Sequence, residues 1–236
     1  MMVSQDNKTN DDTSINEDTS KNDDTSKRVR DRLLDSAEEL FCEHGVEGAS
    51  IRDIAASAEC NIASVNYYFG GKEKLYQEVW RRHLITMRDI RIASIDKVMS
   101  ESDGKPQLEV LLRSFAEAFI GPLVDESRAR RLCKLMAREM IDQNLPANMF
   151  LDDIIRPTLT AMGTALVKAC PDLEESKVPF VVFSVVGQLI HVIRVKAMFE
   201  QDGDTGLPIF DLAKAIDHIV KFSAAGIRAY AKGKIE

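Results

Sequence analysis

Between Ser50 and Leu75 the sequence SIRDIAASAECNIASVNYYFGGKEKL confines the backbone to two short helices, a tight turn and a step into a longer helix. Ile51, Ile54, Ala55 and Ala58 fall on one helical face, and Ile62, Val65 and Phe69 repeat that stripe after a three-residue break. Two apolar stripes so close together must pack on each other. The small residues Ala55, Ala56, Ala58 and Ala63 let the second helix cross the first closely, which is the geometry of a helix-turn-helix. The second helix is then expected to present Asn61, Ser64, Asn66, Tyr67 and Tyr68 outward. These are short or planar hydrogen-bonding groups of the kind that meet base edges or phosphates. No group that titrates near neutrality sits on that helix, so a catalytic role for it is not indicated.

The flanking residues fit the same layout. Gly45 suits a left-handed stop for an upstream helix, and Ser50 suits the N-cap of the next, its hydroxyl near a phosphate in a docked reader. The stretch RDRLLDSAEELFCEHGVEGASIRDIA, followed by YYFGGKEKLY, resembles the DNA-binding domain of the tetracycline-repressor (TetR) family of bacterial transcription regulators. The resemblance covers residues 27 to 87, with the helix-turn-helix at 50–69. Its string VNYYFGGKE, with Asn66 where many members have tyrosine, is similar to the CecR-like subgroup. Glu59 stands where a glycine is frequent in the turn, so a positive backbone angle there would be strained. The resemblance implies DNA contacts from Ser50, Arg52, Asn61, Ala63, Ser64, Asn66, Tyr67, Tyr68 and Lys72.

A net charge of −7 opposes long-range attraction to nucleic acid. Residues 1–27 carry −4 of it and residues 28–91 only −1, so DNA binding must rest on local placement. Arg28, Arg30, Arg52, Lys72 and Lys74 flank the reading helix in sequence, whereas Glu38, Glu39 and Glu43 are expected on the far side of the first helix. The expected affinity for random DNA is modest and salt-sensitive.

Composition otherwise bounds rather than decides. With 44% hydrophobic and 29% charged residues, the 236-residue chain can build a sizeable core. Cys42, Cys60, Cys133 and Cys170 show neither paired spacing nor histidine partners, so no metal site, cofactor or disulfide framework is indicated. No apolar run of membrane-span length and no secretory leader is read, which makes a cytoplasmic protein with no membrane partner the expectation. The repeat NDDTSI NEDTSK NDDTSK at 10–27 cannot bury enough surface to order itself, so residues 1–26 are expected to form a disordered acidic tail. It reads as a solvated tail, or as an anionic arm competing for the basic face.

Strand signals are nearly absent, and an all-α chain is predicted. A long helix from Gly71 to about Met99 is followed by helical stretches near 107–120, 126–142, 147–169, 174–200 and 209–231. Pro122 is expected at a boundary, Pro157 at a kink and Pro179 in a first turn. Residues 88–236 would form the second, helical domain. Within it PFVVFSVVGQLIHVIRVKAMF is too apolar all round for a helix with a wet face, and the amphipathic 209–227 segment covers one side only. A second copy covering the other predicts a two-fold homodimer through four helices.

The segments REMIDQ, IIRP and VVGQLIH are similar to the C-terminal domain of the CecR-like subgroup. That resemblance implies a domain that senses a small-molecule effector and moves the linker helix, so that two readers lose their spacing on a palindromic operator in double-stranded DNA. Phe115, Phe119, Met136, Met140, Met162 and Phe183 are candidates for an apolar pocket, with Arg138, Glu139, Arg156, Gln188 and His191 as orienting groups. Ordinary core packing, an interface histidine and a solvated charged face explain the same residues. A ligand-responsive repressor is the first functional reading. An enzyme using Glu139 and His191 lacks any nucleophile, phosphate-loop or metal pattern, and a helical scaffold with a vestigial reader is the third.

Overall fold

A computed structural model describes residues 14–124, 126–201 and 211–233, without the side chains of 14–24, 124, 126–130, 133, 140 and 197–201. It is helical throughout: α1 (Ser14–Gly48), α2 (Ile51–Ser57), α3 (Ile62–Phe69), α4 (Lys72–Glu101), α5 (Leu108–Val124), α6 (Glu126–Asp142), a π-helical turn (Leu151–Ile155), α7 (Arg156–Ala169), a 3₁₀ turn (Glu175–Lys177), α8 (Val178–Gln201) and α9 (Leu212–Ala231). No strand occurs among the described residues. Contacts divide the chain into two compact units between Val79 and Trp80, inside α4 and about two turns before the expected 87/88 boundary.

In the first unit, Leu33, Leu34, Ala37, Phe41 and Cys42 form the buried face of α1. The matching partners are Ile54, Ala55 and Ala58 of α2, Val65 and Phe69 of α3, and Leu75, Tyr76 and Val79 of α4. Phe41 meets Tyr76 edge to face, with ring centres 5.2 Å apart. Arg30 pairs with Glu78 at 2.8 Å and lies 5.3 Å from the Phe69 ring centre, so this arginine joins α1 to α3 and α4. Glu38 is buried rather than on the solvent side; it is four residues from both Leu34 and Cys42 and so shares their face.

Helix α1 begins at Ser14, so residues 14–26 are helical where a structureless segment was expected; residues 1–13 lie outside the described part. The correction follows from cooperativity: the packed turns after Lys27 supply the nucleus, and extending a formed helix is far easier than starting one. At the other end, Gly45 at φ 73°, ψ 176° breaks the helical path at the position expected for the stop.

The second unit is organised around α5. Leu108, Leu111, Leu112, Phe115, Ala116, Phe119 and Ile120 recur at helical spacing and are all buried. Around them pack Met162, Ala165 and Leu166 of α7, Val178, Val181, Val182, Val185 and Leu189 of α8, and Ile216, Ile219, Val220, Ala224 and Ile227 of α9. Two ion pairs fix α5 to α9 at the surface: Arg113 to Asp217 at 2.5 Å, and a bidentate Glu109–Arg228 pair with one contact of 2.7 Å. Gly163 lets α7 approach α8, because a Cβ there would stand 3.0 Å from Val178 Cγ1.

Three proline readings resolve here. Pro179 is the second residue of α8, as expected. Pro122 is not a boundary; it sits in the last turn of α5, where only two residues follow it. The 147–169 segment is helical without a break from Met149 to Ala169, and the disturbance expected at Pro157 takes the form of the π-helical turn Leu151–Ile155 immediately before α7, in whose first turn Pro157 stands.

One composition reading is overturned. Glu175–Lys196, 22 residues of mean hydropathy 1.9, is long and apolar enough by length and composition to cross a membrane, and only 28% of it is buried. Scattered polar residues such as Ser184, Gln188 and His191 break its appearance as a continuous run without lowering its average much.

Candidate nucleic-acid interface

The reading helix is held by caps at both ends. Ser50 precedes α2 in an extended conformation; its Oγ accepts from the Asp53 amide at 3.1 Å and donates to the Asp53 carboxylate at 2.6 Å. Asn61 caps α3 in the same way, its Oδ1 accepting from the Ala63 amide at 2.9 Å. Beyond Phe69 the chain turns through Gly70 at φ 74° and Gly71 at φ 126°, and the Gly70 amide donates to the Asn66 carbonyl at 2.9 Å. An L side chain at both positions would be strained, which is why α3 ends after eight residues and α4 leaves in a new direction.

Between α2 and α3 the turn passes through Glu59 at φ 52°, the positive angle anticipated for this site, with the Cys60 amide donating to the Ala55 carbonyl at 2.8 Å. That bond and the buried Ala58 hold Glu59 in a region that costs a non-glycine residue about 1–2 kcal/mol.

Val65 and Phe69 anchor α3 from below, leaving Asn61, Ala63, Asn66 and Tyr67 exposed, the last at 82%. Ser64 is half-buried. Two residues depart from the expected arrangement. Ile62, the first residue of α3, is 49% exposed and belongs with the outward face. Tyr68 is half-buried: its hydroxyl accepts from Ser26 Oγ at 3.2 Å, and its ring meets Tyr67 edge to face at 4.9 Å. Tyr68 therefore leans on α1 and supports Tyr67.

The cations divide into two groups. Arg52 and Arg28 are exposed at the surface. Arg30 is committed to Glu78 and Phe69, and Lys72 donates to the Ala49 carbonyl at 3.3 Å. The spacing of residues alone gave no sign of either commitment, since each partner lies more than twenty positions away. Ile62 was the missed member of the outward face, and a thymine methyl is the group an exposed aliphatic side chain there would meet.

In the second unit the eleven candidate pocket residues do not gather in one place. Phe115, Phe119 and Met162 are core residues packed around α5. Met136 and Glu139 line a cavity of about 530 Å³ with Trp80, Leu145 and Phe150, where the Glu139 carboxylate accepts from the Leu145 amide at 2.7 Å. Arg156 pairs with Asp152 at 3.3 Å and lines another cavity of about 540 Å³ between α4 and α7. Gln188 donates to Ser223 Oγ at 3.2 Å in a groove between α8 and α9, with Phe183 and His191 exposed on α8. Arg138 is half-buried, and the Met140 side chain lies outside the described part. Periodicity marks a residue as inward-facing; it does not say which of several internal spaces it borders.

Two family profiles match the chain: bacterial regulatory proteins of the tetR family over residues 33–79, and the C-terminal domain of the HTH-type transcriptional dual regulator CecR over residues 108–227, half of the chain. The chain belongs to the TetR family, with a CecR-type C-terminal domain.

Its similarity to curated TetR-type regulators is confined to the reader. The "Probable HTH-type transcriptional regulator YttP" of Bacillus subtilis is 42% identical over 51 residues, 22% of this chain and 25% of that protein. The HTH-type transcriptional repressor NicS of Pseudomonas putida is 40% identical over 52 residues, covering 22% and 24%. The chain thus spans about a quarter of the length of these relatives. Among solved structures, a TetR-family regulator from Mesorhizobium loti aligns over 85% of this chain and 95% of its own with a TM-score of 0.62 and 20% identity. The fatty acid degradation regulator FadR from Bacillus halodurans aligns over 84% and 99% with a TM-score of 0.58 and 17% identity. At such identities the likeness is one of fold.

Proposed function

We propose that this TetR-family protein is a sequence-specific DNA-binding transcription regulator: a cytoplasmic homodimeric repressor that leaves a palindromic operator when its C-terminal unit takes up a small molecule. The observation that carries the reading is the outward face of α3. Asn66 and Tyr67 project from a helix whose two ends are capped and whose underside is pinned by Val65 and Phe69, so their position over a groove is set before DNA arrives. An exposed carboxamide suits adenine, an exposed Ile62 suits a thymine methyl, and Arg52 with Lys72 suits the flanking phosphates.

Dimerisation is supported by the outer surface of α8 and α9. Phe180, Phe183, Ile190 and Phe222 are exposed there, beside a groove of about 330 Å³ floored by Ser223, Gly226 and Ile227. Large exposed apolar patches mark association surfaces, and a second copy of α8–α9 matches this one in chemistry. It also accounts for the high hydropathy of Glu175–Lys196 without a membrane.

Selection of genomic fragments retained by the full-length chain tests the proposal. A recurrent inverted repeat bound by two chains per duplex is expected; fragments without a shared sequence would overturn it.

A further inference from the structure

The cavity of about 530 Å³ bordered by α4, α6 and the chain between α6 and α7 is large enough for a drug-sized molecule. Its wall is formed by Trp80, Met136, Leu145, Pro146 and Phe150, and by one charged side chain, Glu139. Trp80 is 1% exposed and Glu139 9%, so both lie at its inner end, whereas Gln143 and Ala147 are exposed at its rim. No lysine, arginine or histidine borders the space among the described residues.

The carboxylate is fixed in that wall. The Leu145 amide donates to Glu139 Oε1 at 2.7 Å, a charge-assisted bond across the turn that follows α6. The same turn is closed by Gln143 at φ 50°, whose amide donates to the Glu139 carbonyl at 3.0 Å. A carboxylate accepts about four donors, and the Leu145 amide takes one. Fastening the turn needs only an acceptor, which a glutamine carbonyl supplies at a lower desolvation cost; the negative charge is what a cationic ligand would use. Beside it stand the Trp80 and Phe150 rings, with centres 5.4 Å apart and planes inclined at 64°, and the polarizable thioether of Met136. Aromatic faces attract cations, tryptophan most strongly.

We propose that this cavity is the effector site of the C-terminal unit and that the effector is an organic cation, with its ammonium group against Glu139 and the two rings and an apolar body in the remaining space. The proposal rests on the ligand-sensing reading above and names the chemistry of that ligand. Charge decides the class. An anionic ligand would meet Glu139 as a like charge, with no cation in the wall to offset it, and a neutral one would make no use of the carboxylate. Leu145, Pro146, Met136 and the rings supply an apolar lining for the body. Trp80 lies on α4, whose first turns belong to the reader, so the ligand would touch an element shared by both units.

Trp80 is the single tryptophan of the chain, so its emission reports on this cavity alone. Fluorescence and calorimetric titrations of the full-length chain compare 4-phenylbutylamine, a cation at neutral pH, with 4-phenylbutanol and 4-phenylbutyrate, which keep its body and replace the charge. The amine should change the Trp80 emission and saturate, and the alcohol and the acid should bind about tenfold more weakly or worse. E139Q keeps an acceptor for the Leu145 amide and should bind amine and alcohol alike. Equal affinity for amine and alcohol, tighter binding of the acid, heat of amine binding without a change in Trp80 emission, no binding of the amine to the wild type, or an amine preference kept by E139Q would each overturn the proposal. If E139Q does not fold, the wild-type series decides alone. These readouts require no DNA, so their failure leaves the regulator reading intact; amine-specific binding by a chain that selects no DNA sequence would defeat the regulator reading alone.

Discussion

The ammonium of Lys72 donates to the carbonyl of Ala49 at 3.3 Å, tying the first turn of α4 to the residue just before the N-cap of α2. One cation thereby lies beside the start of α2, where the proposed reader would meet a phosphate. K72A should weaken binding to operator and random duplex by the same factor and lower the salt dependence by about one unit of slope. Titrations of both duplexes across a salt series check this; a loss confined to the operator would place Lys72 on the bases instead.

Glu59 holds a positive φ of 52° that a glycine would adopt without strain. E59G should raise the unfolding free energy by roughly 0.5–1 kcal/mol, the relieved strain exceeding the added unfolded-state entropy, and E59V should lower it. Urea melts of the two variants against the wild type provide the comparison.

The buried Arg91 side chain makes no hydrogen bond or ion pair with any described residue and lies against the Phe119 ring. Removing its charge should stabilise the chain, and the effect should depend on pH in a defined direction. Burial lowers this pKa from the ordinary arginine range to about 10, so above about 10 the unfolded chain still holds the proton and the folded chain has released it. Stability from this group therefore rises as pH climbs past that value. The advantage of R91M, about 1–3 kcal/mol near neutrality, should be constant below pH 9 and shrink above about 10. Denaturant melts of both proteins at matched pH values read the difference directly.

Charging the exposed α8–α9 face should separate the subunits. F183D combined with F222D touches no buried core position, so the monomer should stay folded while the mass in light scattering halves. Operator affinity should fall more than tenfold, because each half-site then binds alone. A dimer unaffected by both charges would move the interface elsewhere.

Local features were legible in the sequence. The stripes of α2 and α3 (Ile62 excepted), the Ser50 cap, the Gly45 stop and the strained Glu59 all depend on residues within a few positions of one another. What periodicity could not supply was pairing across the chain. Tyr68 turns inward because Ser26, 42 residues away, meets its hydroxyl, and Arg30 leaves the cationic surface because Glu78 claims it. Arg91 does leave a trace in the sequence: with Met87 and Ile95 it forms a row at spacing four on the buried face of α4. Phe115 and Met162, candidates for a pocket wall by their spacing, pack against their neighbours in the core.

The most direct measurement is the ratio of affinities for a selected operator and a shuffled duplex of equal length, taken for the wild type and for N66A combined with Y67A. Both side chains are exposed and neither supports the fold, so the variant should melt as the wild type does. Its affinity for the shuffled duplex should stay within about threefold of the wild-type value, while its preference for the operator should drop by a factor on the order of 100, as expected for losing two contacts of about 1–3 kcal/mol each. An unchanged preference would show that the exposed face of α3 does not read the bases.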